Sequence, residues 1–184
     1  MLIGITGGSG NFKTVIAKHL EKAHGFDRIH AGMPVKKAMR AGFDMPRGTM
    51  KEAIDRPTAR LGGGVPRDVS EAMAAALHRT APNATSEVLQ RRVAKRVSQG
   101  KSVVVDGIRS PVEAATLRRM GGYIVRADNG KSIDPAKPMD VMQQTVQPHY
   151  KIETDAMARG DKGAKGAVKE AVDNMLGDIR NCDS

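Results

Sequence analysis

The segment Leu2-Ile3-Gly4-Ile5-Thr6-Gly7-Gly8-Ser9-Gly10-Asn11-Phe12-Lys13-Thr14 constrains the chain more than any other. It reads as a short apolar strand running into a glycine-rich turn, then a helix opened by a Lys-Thr pair. With no side chains at Gly7, Gly8 and Gly10, the turn can aim its amide N–H groups inward, and a nest of amides at a helix N-terminus suits a phosphate chain. Lys13 then reaches the outer phosphates, and the Thr14 hydroxyl is placed for Mg²⁺. Against the spacing G-x-x-x-x-G-K-[ST], Gly7, Lys13 and Thr14 are in register, while Phe12 stands where the second glycine belongs. A Cβ is strained where a loop needs positive φ, by roughly 1–3 kcal/mol if the conformation is forced. The alternative is a glycine-rich turn with a purely structural role.

A chain of 184 residues fits one domain, 1–184, with a sizeable core. Only 3% of residues are aromatic, so that core must come from Ala, Val, Ile, Leu and the 11 methionines. No apolar run approaches about eighteen residues, and no charged-then-apolar leader precedes the first strand; the expectation is a soluble, cytoplasmic protein with no membrane partner. A lone cysteine, Cys182, rules out an internal disulfide and a cysteine metal centre. The net charge of +10 calls for an anionic partner: nucleic acid, nucleotide or a membrane surface. Basic residues are spread along the chain and stacking aromatics are scarce, which weighs against reading of single strands.

The helix after the turn, about 13–24, places Ile16, Leu20 and Ala23 on one face with Ala17 beside them, leaves Lys18, His19 and Lys22 to water, and ends at Gly25. A strand over 26–31 follows, the order with which a parallel α/β sheet begins. Pro34 suits a helix's first turn, and Lys36, Lys37 and Arg40 face either an acceptor's phosphate or solvent. Residues 42–66 are broken by glycine and proline and carry Arg47, Lys51, Arg56 and Arg60, with Arg67 just beyond; a helical substrate-binding lobe over about 33–99 is expected. A helix from Pro66 has Val69, Met73 and Leu77 in register, and another over 85–99 turns Val88, Leu89, Val93 and Val97 inward and Arg91, Arg92, Lys95 and Arg96 outward.

Residues 101–106 form a strand whose β-branched run suits burial on both faces. It ends in Asp106, placed either to hold Mg²⁺ or its waters, or to cap a turn. Ser110-Pro111-Val112-Glu113 is a helix start with Ser as N-cap and an acid at N3. That helix carries Ala114, Leu117 and Met120; residues 123–126 are the next strand, about 129–149 a lid with Lys131 and Lys137, and 151–154 a last strand. A final helix over 164–180 buries Val168, Val172, Met175, Leu176 and Ile179.

Gly4-Ile5-Thr6-Gly7-Gly8-Ser9-Gly10 resembles the opening of P-loop small-molecule kinases. The further order of Pro34-Val35-Lys36, Lys51-Glu52, Pro66-Arg67, Val105-Asp106-Gly107-Ile108-Arg109-Ser110-Pro111-Val112-Glu113 and Gly121-Gly122-Tyr123-Ile124-Val125-Arg126 is similar to phage-type deoxynucleoside monophosphate kinases. The resemblance implies an α/β three-layer P-loop NTPase fold, a central parallel sheet flanked by helices with a helical substrate-binding insertion. It implies transfer of the ATP γ-phosphoryl group to a nucleoside monophosphate substrate, with Mg²⁺, in a homodimer. Lys13, Arg109 and Asp106 are then catalytic. Gly7, Gly8, Ser9, Gly10, Asn11, Phe12, Lys13, Thr14 and Arg126 serve ATP; Lys36, Arg67 and Arg109 serve the acceptor, with Glu113 either orienting Arg109 or meeting the substrate; Thr14 and Asp106 serve the metal. The sequence departs from this pattern at Phe12, at Met33, where the family has an acid, and in lacking an arginine-rich lid over 130–148. Two other functions fit the residues: nucleotide binding without turnover, and nucleic-acid binding by a basic protein on the same fold.

Overall fold

The computed structural model describes residues 1–46, 48, 54–131 and 138–182. Val103, Val104 and Val105 are fully buried, as a β-branched run covered on both faces should be. They belong to β3 (Val103–Ile108), which pairs in parallel with β1 (Leu2–Thr6) and β2 (Asp27–His30). On its other side β1 pairs with β4 (Tyr123–Asp128), and β4 with β5 (Tyr150–Glu153), so the parallel sheet runs β2-β3-β1-β4-β5.

Strand alternation sorts the core into two layers. Ile3, Ile5, Val104 and Val125 face α1 (Lys13–His24) and the long α8 (Ala164–Cys182), where Ile16, Leu20, Val172, Leu176 and Ile179 close the layer. Leu2, Val103, Val105 and Ile124 face the other way, towards Leu89 and Val93 of α4 (Pro82–Val97) and Leu117 of α5 (Pro111–Arg119). Gly4 lies on this second face, where a Cβ would come within 2.6 Å of Leu117 Cδ1.

Beyond the sheet, α2 (Met33–Gly42), α3 (Pro66–Thr80) and α6 (Pro138–Gln144) share a smaller cluster of Val35, Ala74 and Met139, flanked by Met73, Leu77 and Met142. Met39 and Met45 form another with Leu61, Val69 and Met73. The adaptable thioethers thus gather in the helical lobe, while branched aliphatics dominate the sheet layers. A short helix, α7 (Asp155–Arg159), precedes α8. No helix among the described residues is long and apolar enough to cross a membrane.

Several local expectations are corrected. Ala23 is exposed, as is Val97, because α1 and α4 each end before the stripe completes another turn over the sheet. In α3 the fully buried row is Pro66, Ser70, Ala74 and His78, while Val69, Met73 and Leu77 are half-buried against the lobe clusters. Asp106 does not end its strand: β3 continues through Gly107, at φ +83°, to Ile108. The 129–149 segment contains α6, packed against α3, and Arg47, Lys51, Glu52 and Lys137 lie outside the described residues.

The basic face of α4 also divides. Arg96 Nε donates to Asp27 Oδ2 at 3.0 Å and Arg92 donates to the His30 carbonyl at 3.2 Å, so two of the four cations fasten the helix to β2. Arg91 and Lys95 are exposed. Replacing Arg96 by Ala should therefore cost about 1 kcal/mol, a fall of roughly 2–4 °C in a chain this size, with Arg91→Ala unchanged within error. Equal melting temperatures for the two variants would refute the clamp.

Candidate active site

The glycine loop owes its shape to contacts at both ends. Gly7 has φ +136°, and a Cβ there would sit 2.4 Å from the Ala127 carbonyl oxygen on β4, so no other residue fits. Asn11 Nδ2 donates to the same Ala127 carbonyl at 2.9 Å, and the Thr154 hydroxyl donates to the Asn11 carbonyl at 3.4 Å. Phe12, the residue in the glycine's place, adopts the left-handed conformation (φ 56°, ψ 22°) and stands at the N-cap of α1 without a side-chain cap. The motif's backbone is thus built despite the Cβ.

Lys13 Nζ donates to the Gly7 and Gly8 carbonyls, each at 2.5 Å, so the loop closes on the ammonium. Burial is the largest influence on Lys13 and lowers its pKa to about 8, although Asp106 and Asp140 favour the charge. Ser9 N donates to Asp140 Oδ1 of α6 at 3.2 Å. This carboxylate stands where the loop amides would hold a phosphate oxygen.

Ser9, Gly10, Lys13 and Thr14 form one wall of a cavity of about 850 Å³. Its other walls include His30, Lys36, Lys37, Arg40, Arg67 and Arg109, with Glu71, Asp106 and Asp140 as acids. His30, at the carboxyl end of β2, accepts from Gly32 N through Nδ1 at 3.1 Å and turns Nε2 towards Lys36 Nζ, 3.5 Å away. Burial first, then the charge of Lys36, push the imidazole down to about 4, so it is neutral. Lys36 is itself lowered, by burial and then by Arg109 and Arg67. Asp106 is buried and paired with Arg28 through Oδ2. Thr14 and Asp106 line the same cavity, and their oxygens are the hard donors that Mg²⁺ prefers, so the residues fit that ion.

The predicted set is therefore brought together in part. Ser9, Gly10, Lys13, Thr14, Lys36, Arg67, Asp106 and Arg109 share the cavity. Gly7, Gly8 and Asn11 line a separate hollow of about 90 Å³, and the Asn11 amide is spent on β4. Phe12 lines neither. Arg67 forks onto Asp55, its NH2 at 3.0 Å from Oδ2. Arg126 lines that smaller hollow too, and its guanidinium donates to the Gln143, Gln144 and Val146 carbonyls, tying the end of α6 to the sheet. Glu113 follows its positioning alternative, orienting Arg109 rather than meeting the cavity. It is buried outside the cavity, with Oε2 accepting from Arg109 N at 2.8 Å while Ser110 Oγ accepts from Glu113 N at 3.2 Å, so the acid holds the backbone of Arg109. His30 and Asp140 were missed. The rule that ligands gather at strand carboxyl ends points to His30, whereas no local pattern marks Asp140.

No protein-family model matches the chain, and no curated protein matches it in sequence. Among solved structures, a Chloroflexus aurantiacus protein described as a "putative kinase" superposes with a TM-score of 0.53 at 14% identity over 96% of each chain. Its likeness is one of fold. Shikimate kinases from Aquifex aeolicus and, with shikimate bound, from Acinetobacter baumannii align at 15% and 17% identity, each with a TM-score of 0.47. They cover 97% and 98% of this chain, and 98% and 93% of their own.

Two outcomes test the site. Because the folded Lys13 pKa lies below the ordinary lysine value, unfolded chains bind more protons between about pH 8 and 10.5, and this group's contribution makes stability rise with pH there. A polyphosphate restores the charge, so its binding at pH 8 should take up about half a proton, read from calorimetry in buffers of different ionisation enthalpy; uptake unchanged by Lys13→Ala would contradict the assignment. Separately, a Cβ on Gly32 would stand 3.3 Å from Arg109 NH2 and from His30 Cε1. Gly32→Ala should displace the Arg109 guanidinium and weaken binding of inorganic phosphate several-fold by calorimetry, while the Lys13-dependent proton uptake on polyphosphate binding holds.

Proposed function

We propose that the protein transfers the γ-phosphoryl group of ATP to a nucleoside or deoxynucleoside monophosphate, giving the diphosphate. The observation that carries this reading is the single cavity in which loop residues Ser9, Gly10, Lys13 and Thr14 face Lys36, Lys37, Arg40, Arg67 and Arg109. Donor and acceptor anions would meet there with cations on both sides. The reaction asks for alignment and for positive charge where negative charge gathers. An acceptor phosphate oxygen forms the new P–O bond as the bond from the γ-phosphorus to the β,γ-bridging oxygen breaks, and ADP leaves. The attacking oxygen is already anionic, so no base is required, in keeping with a neutral His30 whose Nδ1 is occupied.

In this reading Lys13 exchanges the Gly7 and Gly8 carbonyls for ATP oxygens, and Asp140 leaves the Ser9 amide. Arg109, and Arg67 once free of Asp55, hold the acceptor phosphate through their paired N–H groups. Magnesium, held by Thr14 and Asp106, would neutralise the triphosphate oxygens. A homodimer in the cytoplasm belongs to the same proposal.

One observation favours a second reading, nucleotide binding without turnover: Phe12 in a left-handed conformation beside a lysine already engaged by the loop. A coupled assay of ADP release, with ATP and each common nucleoside and deoxynucleoside monophosphate, decides between them. Release above the ATP-only rate is expected with at least one acceptor and should vanish in Lys13→Ala. If wild type is silent and Phe12→Gly gains a large rate, the natural loop binds without turning over. Activity only with a non-nucleotide acceptor would refute the monophosphate.

A further inference from the structure

His19 and His24 of α1 and Asp173 of α8 converge on the surface layer away from the cavity. His19 Nε2 lies 2.6 Å and His24 Nε2 2.7 Å from the same oxygen, Asp173 Oδ1. The rings meet edge to face, with centroids 5.3 Å apart and planes at 89°. One ligand atom from each residue falls within 4.8 Å of the other two. We propose that these three side chains form a binding site for a divalent transition-metal ion of the zinc type, bridging α1 to α8. The proposal is independent of the phosphoryl-transfer reading.

Helical geometry explains the convergence. His19 and His24 are five residues apart, about 140° around an α-helix, and His24 is the last residue before Gly25 turns into the left-handed cap. Their imidazoles reach inward from two sides of the groove between the helices, and Asp173 closes it from α8. The ligand set selects the ion. Two imidazoles and one carboxylate suit Zn²⁺, Co²⁺ or Ni²⁺, whereas Mg²⁺ and Ca²⁺ want oxygen alone.

Both histidines now donate to the carboxylate, which fixes the Nε2–H tautomer and, as the main influence, holds the Asp173 carboxyl below its ordinary range. The oxygen at which both nitrogens aim marks the vertex an ion would take. Zn–N bonds of about 2.0–2.1 Å require the carboxylate to step outward and each ring to carry its proton on Nδ1 instead of Nε2, an exchange through water, and Asp173 is 48% exposed and has room to do so. His19 and His24 are 12% and 20% exposed, their rings held by the protein and their nitrogens reachable. Water completes the coordination on the open side. Such an ion would brace the helix whose first residues are Lys13 and Thr14, replacing two hydrogen bonds with coordinate bonds between α1 and α8.

The full chain, free of nucleotide and stripped with a chelator, is titrated with CoCl₂ and followed by visible absorbance, and its melting temperature is measured with and without ZnCl₂. Expected are one Co²⁺ per chain with d–d bands of an N/O site, and a rise in melting temperature reversed by chelator. His24→Gln and Asp173→Asn should each weaken binding about 10- to 100-fold, while His149→Gln binds as wild type. Asp173 is exposed enough for its variant to fold, which its metal-free melting curve verifies. Binding undiminished in both His24→Gln and Asp173→Asn, or no saturable binding by wild type at about 100 µM metal, would overturn the proposal.

Discussion

Burial of several basic side chains in one space is the constraint on which the candidate site depends. Burial is the largest influence lowering the proton affinity of Lys13, His30 and Lys36; Arg109 adds to it in all three, ranking next at Lys36, behind Lys36 and Asp106 at His30, and behind Asp106 and Asp140 at Lys13. Asp106 opposes them in all three cases but is already committed to Arg28. A folded chain that holds this many depressed bases around one guanidinium stores electrostatic free energy, and such clusters gather at functional sites. A polyanion relieves it most directly. The partial substitutes visible in the structure make the same point: Lys13 takes two backbone carbonyls, and the Ser9 amide takes the Asp140 carboxylate.

The fold keeps that cluster in place through contacts that are not themselves charged partners of a substrate. Parallel strands bring His30 level with Asp106, and Asp106 level with Ile5 just before the glycine loop begins. The register then shifts at Thr6, whose hydroxyl donates to the Ile108 carbonyl at 3.1 Å. Glu113 fixes the Arg109 backbone from beneath, while Gly32 leaves a gap over which the guanidinium lies. Arginine position is thus set by a buried carboxylate and a missing methyl group, neither of which touches the cavity's contents. The Chloroflexus structure shares this architecture at 14% identity, as expected if packing pattern rather than particular side chains specifies the layers.

What could be read from the sequence divides along the same line. The strand-loop-helix opening, the Ser110 cap, the buried valines of β3 and five of the six buried positions of α8 are written in local spacing, and each has the expected form. Arg92 and Arg96, three and seven residues on from buried Leu89, lie on the face of α4 that meets the sheet, whereas Arg91 and Lys95 lie opposite; which groups of β2 the two arginines meet is set by tertiary packing. The resemblance marks Arg126 and Glu113 without saying what they touch; backbone groups beside two helix ends engage both, the carbonyls after α6 for Arg126 and the Arg109 amide before α5 for Glu113. His30 and Asp140 come together across more than a hundred residues of chain, and no period or spacing encodes that encounter.

Phe12 illustrates how a broken motif can still be a built one. A bulky residue at positive φ is a real outlier, and the strain of roughly 1–3 kcal/mol is charged to the folded state. Gly7 against Ala127, Asn11 on the Ala127 carbonyl and Thr154 on the Asn11 carbonyl hold the loop from three sides, and together they over-determine its path. If the loop has the same backbone with and without a triphosphate, the strain is identical in both states and cancels from binding. It then lowers stability and nothing else. Only the fraction of strain that changes when Lys13 lets go of the Gly7 and Gly8 carbonyls can enter affinity or rate. Under that condition the missing glycine bears on function through the freedom of Lys13, and not through the shape of the cradle.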